Sequence, residues 1–134
     1  MSIRTYDPDV FRHAFDDHPE YMEGIEPEDW VGDHKNLMFE KDGSVGLFTY
    51  NYPGVYTGHW FFKVRGRKAL DLAREMLREA FSGDVKVVRG MTSVNLPAAR
   101  WAARQIGMTS HGMMTSPKWG ECELFTLTKK EFEA

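Results

Sequence analysis

The sequence predicts an α+β domain, and three observations predict it. Residues 36–64 read as three strands joined by tight turns. Residues 67–81 carry the apolar stripe of an amphipathic helix and stand between two strands, which makes a βαβ unit. Residues 108–132 return to strand patterning after a second helix. Hairpins on both sides of one crossover fit a mixed sheet and not a doubly wound one.

Each element has a local reason. Residues 2–6 read as a short strand. Asp7-Pro8 is a helix start, with aspartate as cap and proline at the first helical position. Val10, Phe11, Ala14 and Phe15 then share one face. Pro19 and Pro27 start two further helical pieces, around residues 20–24 and 28–31. Residues 36–40 form a strand, Lys41-Asp42-Gly43-Ser44 a hairpin turn, and residues 44–52 the return strand. Pro53-Gly54 turns the chain into a third strand over residues 55–64. Alternation puts Tyr56, Trp60, Phe62 and Val64 on one face, and Val55, Thr57, His59 and Phe61 on the other.

The helix over 67–81 buries Ala69, Leu70, Ala73, Met76, Leu77, Ala80 and Phe81. Ser82-Gly83-Asp84 ends it, and residues 85–88 are a short buried strand. Asn95 suits the cap of the next helix and Pro97 its first turn. Ala98, Trp101, Ala102, Gln105 and Ile106 line one side of that helix, Arg100 and Arg104 lie together at i, i+4, and Gly107 closes it. Residues 108–116 and 121–132 are the final strands, expected to pair.

Composition bounds the function. A chain of 134 residues with 42% hydrophobic and 13% aromatic residues is one globular domain, 1–134. A net charge of −3 speaks against a nucleic-acid coat or a polybasic membrane patch. No apolar run has the length of a signal peptide or a bilayer span. A single cysteine, Cys122, allows no internal disulfide. A reducing, cytoplasmic setting is the expectation. The five histidines show no metal-ligand spacing, so no metal site is expected.

The most informative stretch is FKVRGRKALDLAREML, residues 62–77, where a strand runs into three cations and a glycine at a helix start. Backbone N–H groups already make that point positive. The cluster reads either as a solvated helix start or as an anion site, and its place in a βαβ unit favours the anion site. His59 reads as a base or as a hydrogen-bonded sheet residue. Ser110, His111 and Ser116 either line a substrate cleft or belong to an ordinary edge strand. Trp119, in a turn, is the tryptophan expected at the surface as a contact. The acidic N-terminal helices either draw an amine electrostatically or form a plain solvated face.

The element order, together with Val64-Arg65-Gly66-Arg67-Lys68-Ala69 and with Asn95-x-x-Ala98 ending in Gly107-Met108, resembles the GNAT superfamily of N-acetyltransferases. The resemblance covers roughly residues 36–128. It implies a mixed, mostly antiparallel sheet of six or seven strands with helices on both faces. It implies transfer of an acetyl group from acetyl-CoA to a small-molecule or peptide amine. Phe62, Lys63 and Val64 would offer backbone to the pantetheine arm. Arg65, Gly66, Arg67, Lys68 and Ala69 would cradle the pyrophosphate. Asn95 would sit near the cofactor arm and Arg100 near the adenosine end.

The family pattern is also departed from. Lys68 and Leu70 stand where loop glycines belong, and Ala102, or Ala103 on the other alignment, where many members carry a tyrosine acid. The strand before the loop has no glutamate base, which leaves His59 and, as a poor base, Tyr56. The length and Gly58-His59-Trp60 look most like GNAT-like proteins of bacteriophages, some of which serve head assembly and not catalysis. Phage assembly partners are therefore the alternative expectation, and pairing of the final strands would make a homodimer.

Overall fold

A computed structural model describes residues 3–17, 19–117 and 120–134. The N-terminal region holds α1 (Pro8–Ala14), a 3₁₀ turn (Pro19–Met22) and α2 (Pro27–Gly32). Then come β1 (Leu37–Lys41), β2 (Ser44–Tyr52), β3 (Val55–Phe61), α3 (Arg67–Phe81), β4 (Val87–Ser93), α4 (Pro97–Ile106), β5 (Thr109–Ser116), β6 (Gly120–Thr128) and α5 (Lys129–Glu133). The strands form one sheet in the order β1-β2-β3-β4-β6-β5. Among the described strands, β3 and β4 are the one neighbouring pair that runs parallel, joined by α3. This is the mixed, mostly antiparallel α+β sheet that the sequence predicts, with six strands.

Helices cover both faces. On one, Met76, Leu77, Ala80 and Phe81 of α3 pack with Phe48, Tyr56, Val88, Phe125 and Leu127 of the sheet. On the other, Phe11, Ala14 and Phe15 after α1's start, with Val31 of α2, pack on Met38, Val45 and Leu47. Strand alternation sends successive residues to opposite cores, so β2 feeds both. The α1 start is as expected: the Asp7 carboxylate accepts from the Asp9 N–H at 2.9 Å, and Pro8 leads the helix. The β1–β2 turn is Asp42-Gly43, both at positive φ, which matches the twist of a two-residue hairpin.

Several boundaries differ from expectation. Residues 3–5 pair with β1 through a single bridge, Arg4 opposite Phe39, and not through a full strand. β3 stops at Phe61 and does not reach Val64. Its partner β2 begins at Ser44, whose buried hydroxyl accepts from the Lys63 N–H at 2.8 Å and turns the chain off the sheet. The strand read at 85–88 lies later, at Val87–Ser93. The final strand ends at Thr128, where a capping box with Glu131 starts α5. α4 presents Ala98, Trp101 and Gln105 to solvent and buries Ala103; Trp101 is 47% exposed. Asn95 does not cap α4: Pro97 is the first helical residue, so Leu96 is the cap, and the Asn95 N–H donates to Ser93 Oγ at 3.2 Å. The expectation for Trp119 lies outside the described residues.

Candidate functional site

The parallel ladder between β3 and β4 is short. It holds Val55–Val87, Tyr56–Val88 and Thr57–Arg89, and then the strands part. Their outer sides stay paired to the end, β3 to β2 as far as Phe61 opposite Val45, and β4 to β6 as far as Ser93 opposite Cys122. Gly58–Phe61 and 90–93 therefore face each other across a notch within an otherwise continuous sheet. Strand backbone presents N–H and C=O groups on both sides, and such groups demand partners. An extended ligand with amides of its own can supply them as an added strand does.

Gly58 opens the notch on the β3 side. A Cβ there would come within 3.1 Å of both Trp60 Cη2 and Val88 Cγ1, so the Trp60 indole lies back over a position only glycine leaves free. His59 stands next, half-buried, opposite Leu47. Alternation places it on the α1–α2 face with Phe61, whose ring meets Phe15 at 4.8 Å.

α3 begins at the same end. Its cap is Gly66, at φ 61 and ψ −133, with no side-chain cap and no acidic residue in the first turn. Leu70 N donates to Gly66 O at 3.2 Å, the first helical bond. The N–H groups of Arg67, Lys68 and Ala69 precede it and have no partner within the helix. Arg65, Gly66, Arg67 and Lys68 are all exposed. Among the described residues no carboxylate pairs with these three cations. The arrangement is an electropositive helix head.

α4 runs beside α3 in the same direction, with Arg74 Nη2 donating to Gln105 O at 3.1 Å. Both helix heads therefore open at the notch end. The head of α4 also lacks a side-chain cap, and Asn95 is exposed just before it. Phe62, Lys63 and Val64 lie beyond the end of β3, where the Lys63 N–H is already taken by Ser44.

Arg100 turns inward. Its Nε donates to Glu123 Oε1 at 2.9 Å, while Arg104 Nη2 reaches both Glu123 oxygens at 2.8 and 2.7 Å and Ser110 Oγ reaches Oε2 at 2.6 Å. Glu123 is buried on the helix side of β6, opposite Thr92 in the notch half of β4. The Ser110 hydroxyl first, then the two guanidinium groups, pull its pKa down to about 2 against the opposing effect of burial. Sequence reasoning missed this residue. The signal was present: Glu123 shares the parity of Phe125 and Leu127, and a carboxylate on the core side of a strand needs cations such as the Arg100–Arg104 pair. His111 stays at the surface with Thr126 Oγ1 at 2.7 Å, and Ser116 is buried. Ala102 is half-buried and Ala103 buried; neither carries a proton. Among the described residues no group of three or more His, Cys, Asp or Glu is placed to hold a metal ion.

A sheet split between its two parallel strands beside a glycine-capped basic helix decides the architecture, and solved structures agree. The chain has the GNAT fold. It superposes on a GNAT-family acetyltransferase from Bacillus anthracis with a TM-score of 0.62 and 17% identity, over 96% of this chain and 95% of that one. It matches RimJ from Mycobacterium smegmatis in complex with CoA-disulfide at a TM-score of 0.68 and 14% identity, over 95% and 78% of the two chains. The aminoglycoside acetyltransferase AAC(6')-Ib, in complex with coenzyme A and kanamycin, gives 0.65 and 13% over 93% and 90%. No family model and no curated protein matches the sequence. In the GNAT fold of this chain, the notch and the α3 head are adjacent features of one βαβ unit.

Proposed function

We propose that the chain is an N-acyltransferase that uses acetyl-CoA and acetylates an amine. The observation that carries this reading is the break in the β3–β4 ladder after Thr57 and Arg89, next to a basic, glycine-capped helix head. The residues present suit the cofactor. The free edges of Gly58–Phe61 and 90–93 offer backbone to pantetheine amides. The N–H groups of Arg67, Lys68 and Ala69, with the side chains of Arg65 and Lys68, suit a pyrophosphate. Asn95 stands exposed before the α4 head, whereas Phe62, Lys63 and Val64 follow the end of β3 and Arg100 is turned to Glu123, so in this reading Gly58–Phe61 take the backbone role that the resemblance gave to 62–64.

Acetyl-CoA supplies a thioester whose C–S bond breaks as the C–N bond to the amine forms. The chain's own task is to position the partners, donate to the carbonyl oxygen and take one proton. A backbone N–H on the notch edge of β3 is the donor. His59, or water beside it, accepts the proton lost by the amine. With alanine at 102 and 103, the leaving thiolate is protonated from solvent. The acceptor is a small-molecule or peptide amine, a class to which the kanamycin bound by one structural neighbour belongs. The cytoplasm is the proposed setting; no helix among the described residues is long and apolar enough to cross a membrane.

Ala102 favours a second reading. A chain without the acid for the leaving group fits a non-catalytic scaffold of the kind used in phage head assembly. Thermal unfolding with and without acetyl-CoA separates the two. At about a hundred times its dissociation constant the ligand stabilises by roughly 2.7 kcal/mol. The enzyme reading requires that shift, its loss in Arg65→Ala/Lys68→Ala, and turnover. No shift at millimolar acetyl-CoA refutes it, and a shift without turnover supports the scaffold.

A further inference from the structure

The opposite end of the domain holds a second concavity, a cavity of about 1090 Å³ beneath the C-terminal end of α3. α3 has 15 residues, so roughly 22 Å of helix separates this cavity from the basic head. Its floor is apolar and aromatic: Phe39, Tyr56, Ala80 and Val85 are buried there. Tyr50 extends it, meeting Tyr56 edge-on at 5.6 Å.

The rim carries both signs of charge. Arg4 and Lys35, before β1, and Lys86, before β4, supply cations, while Glu79 and Asp84, at the end of α3 and in the loop after it, supply carboxylates. Among the described residues, Lys35, Glu79 and Asp84 take part in no ion pair, although all three line one cavity. The walls are held in place by other means. Lys35 Nζ sits 5.1 Å above the Tyr50 ring, and Arg4 stacks at 4.7 Å on Tyr6 while Nη2 donates to Asn36 O at 3.2 Å. The loop after α3 is pinned by Lys86 N donating to Gly54 O at 2.8 Å. Burial first and the Asp84 carboxylate second push the Tyr56 phenol above its usual pKa, so the Asp84 charge is felt at the floor.

This chemistry selects a ligand. A polyanion would meet Glu79 and Asp84, and a polyamine would meet Arg4 and Lys35. An uncharged apolar molecule would strip water from five charges without replacing it. We propose that the cavity is a binding site for a small zwitterion with an apolar body, a short peptide with an aromatic side chain being its simplest form. The carboxylate goes to Arg4 and Lys35, the ammonium to Glu79 and Asp84, and the aromatic ring to the Tyr50–Tyr56 floor.

The probes are alanyl-phenylalanine, its N-acetyl form and its C-terminal amide, each titrated calorimetrically into the full chain. The zwitterion is expected to bind, and each capped form to bind about fivefold or more weakly, since each loses one charge-assisted contact. Asp84→Asn weakens the zwitterion and the amide but not the N-acetyl form. Lys35→Gln weakens the zwitterion and the N-acetyl form but not the amide. Both positions are exposed, and unchanged thermal unfolding of the variants confirms an intact fold. Saturating coenzyme A leaves these affinities unchanged, so the outcome does not depend on what the notch binds. Undetectable binding of the zwitterion at about 10 mM probe, equal binding of the three probes, or variants without charge selectivity would overturn the proposal.

Discussion

Arg104 holds Glu123 through both carboxylate oxygens, at 2.8 and 2.7 Å, and Arg100 adds a third bond to the same group. The contact moors α4 to β6 beside the notch half of β4. A single buried carboxylate thus fixes one lip of the proposed cofactor site. Its folded pKa of about 2 lies below its ordinary 4.5. A depressed carboxylate contributes stability above its unfolded pKa and loses it as pH falls through the folded one. The wild type should therefore lose stability between about pH 4.5 and 2 in a step that Glu123→Gln lacks. Acid titration of thermal unfolding in the two proteins measures the difference. Identical profiles would remove Glu123 from this role.

Gly66 sets the orientation of the α3 head. At φ 61 and ψ −133 it occupies backbone space that side-chain-bearing residues avoid, yet nothing lies within 4 Å of an added Cβ. The cost of Gly66→Ala is then purely conformational, about 1–3 kcal/mol. The chain can relieve it only by re-aiming the first N–H groups of the helix. The variant should unfold at a lower temperature and lose most of the stabilisation by acetyl-CoA. Lys68→Ala is the control, with a near-wild-type fold and weaker ligand stabilisation, since Lys68 is exposed. Full ligand stabilisation in Gly66→Ala would show that the head's backbone does not hold the phosphates.

Local rules read α3, α1 and the β1–β2 hairpin correctly. The α3 stripe repeats at helical period, and Asp7-Pro8 and Asp42-Gly43 carry their own backbone conformations. The features that failed depend on residues far along the chain. β3 ends at Phe61 because Ser44, on the neighbouring strand, takes the Lys63 N–H. α4 looks amphipathic with Trp101 inward, but Glu123 draws Arg100 and Arg104 beneath the helix and turns Trp101 out. The start of α5 was local and readable: Thr128-x-x-Glu131 is a capping box hidden behind strand alternation. The basic, glycine-led start of α3 was legible as well. The notch was not, since the point where two parallel strands part has no sequence signature.

Gly58 is the position where notch and core meet. A Cβ there would press on Trp60 at 3.1 and 3.2 Å and on Val88 at 3.1 Å. The indole is rigid, so it must tilt. Overpacking of this kind costs about 1–3 kcal/mol, partly offset by alanine's better strand preference. Gly58→Ala should destabilise and shift the tryptophan fluorescence. In a Trp60→Leu background the cost should shrink, giving a coupling of about 1 kcal/mol in a double-mutant cycle. Additive effects would mean that the contact is not the source.

Cys122 tests how tightly the far edge of the sheet is closed. It is fully buried in β6, opposite Ser93 of β4 and Met114 of β5. Burial pushes its thiol pKa up, and the thiol points to Gly120 O at 3.6 Å. A thiol reagent needs the thiolate and access to it, and the fold withholds both. The native chain should leave Cys122 unmodified by an aromatic disulfide reagent at pH 8, and denaturant should expose it at once. Because β5 is the edge strand and is largely solvent-exposed, opening of the β5–β6 hairpin alone would suffice for reaction. The native labelling rate therefore reports that local opening. If Ser110→Ala raises the rate without changing global stability, the Ser110–Glu123 bond is what keeps the edge shut. Equal rates in the two proteins would assign the closure to the backbone ladder instead.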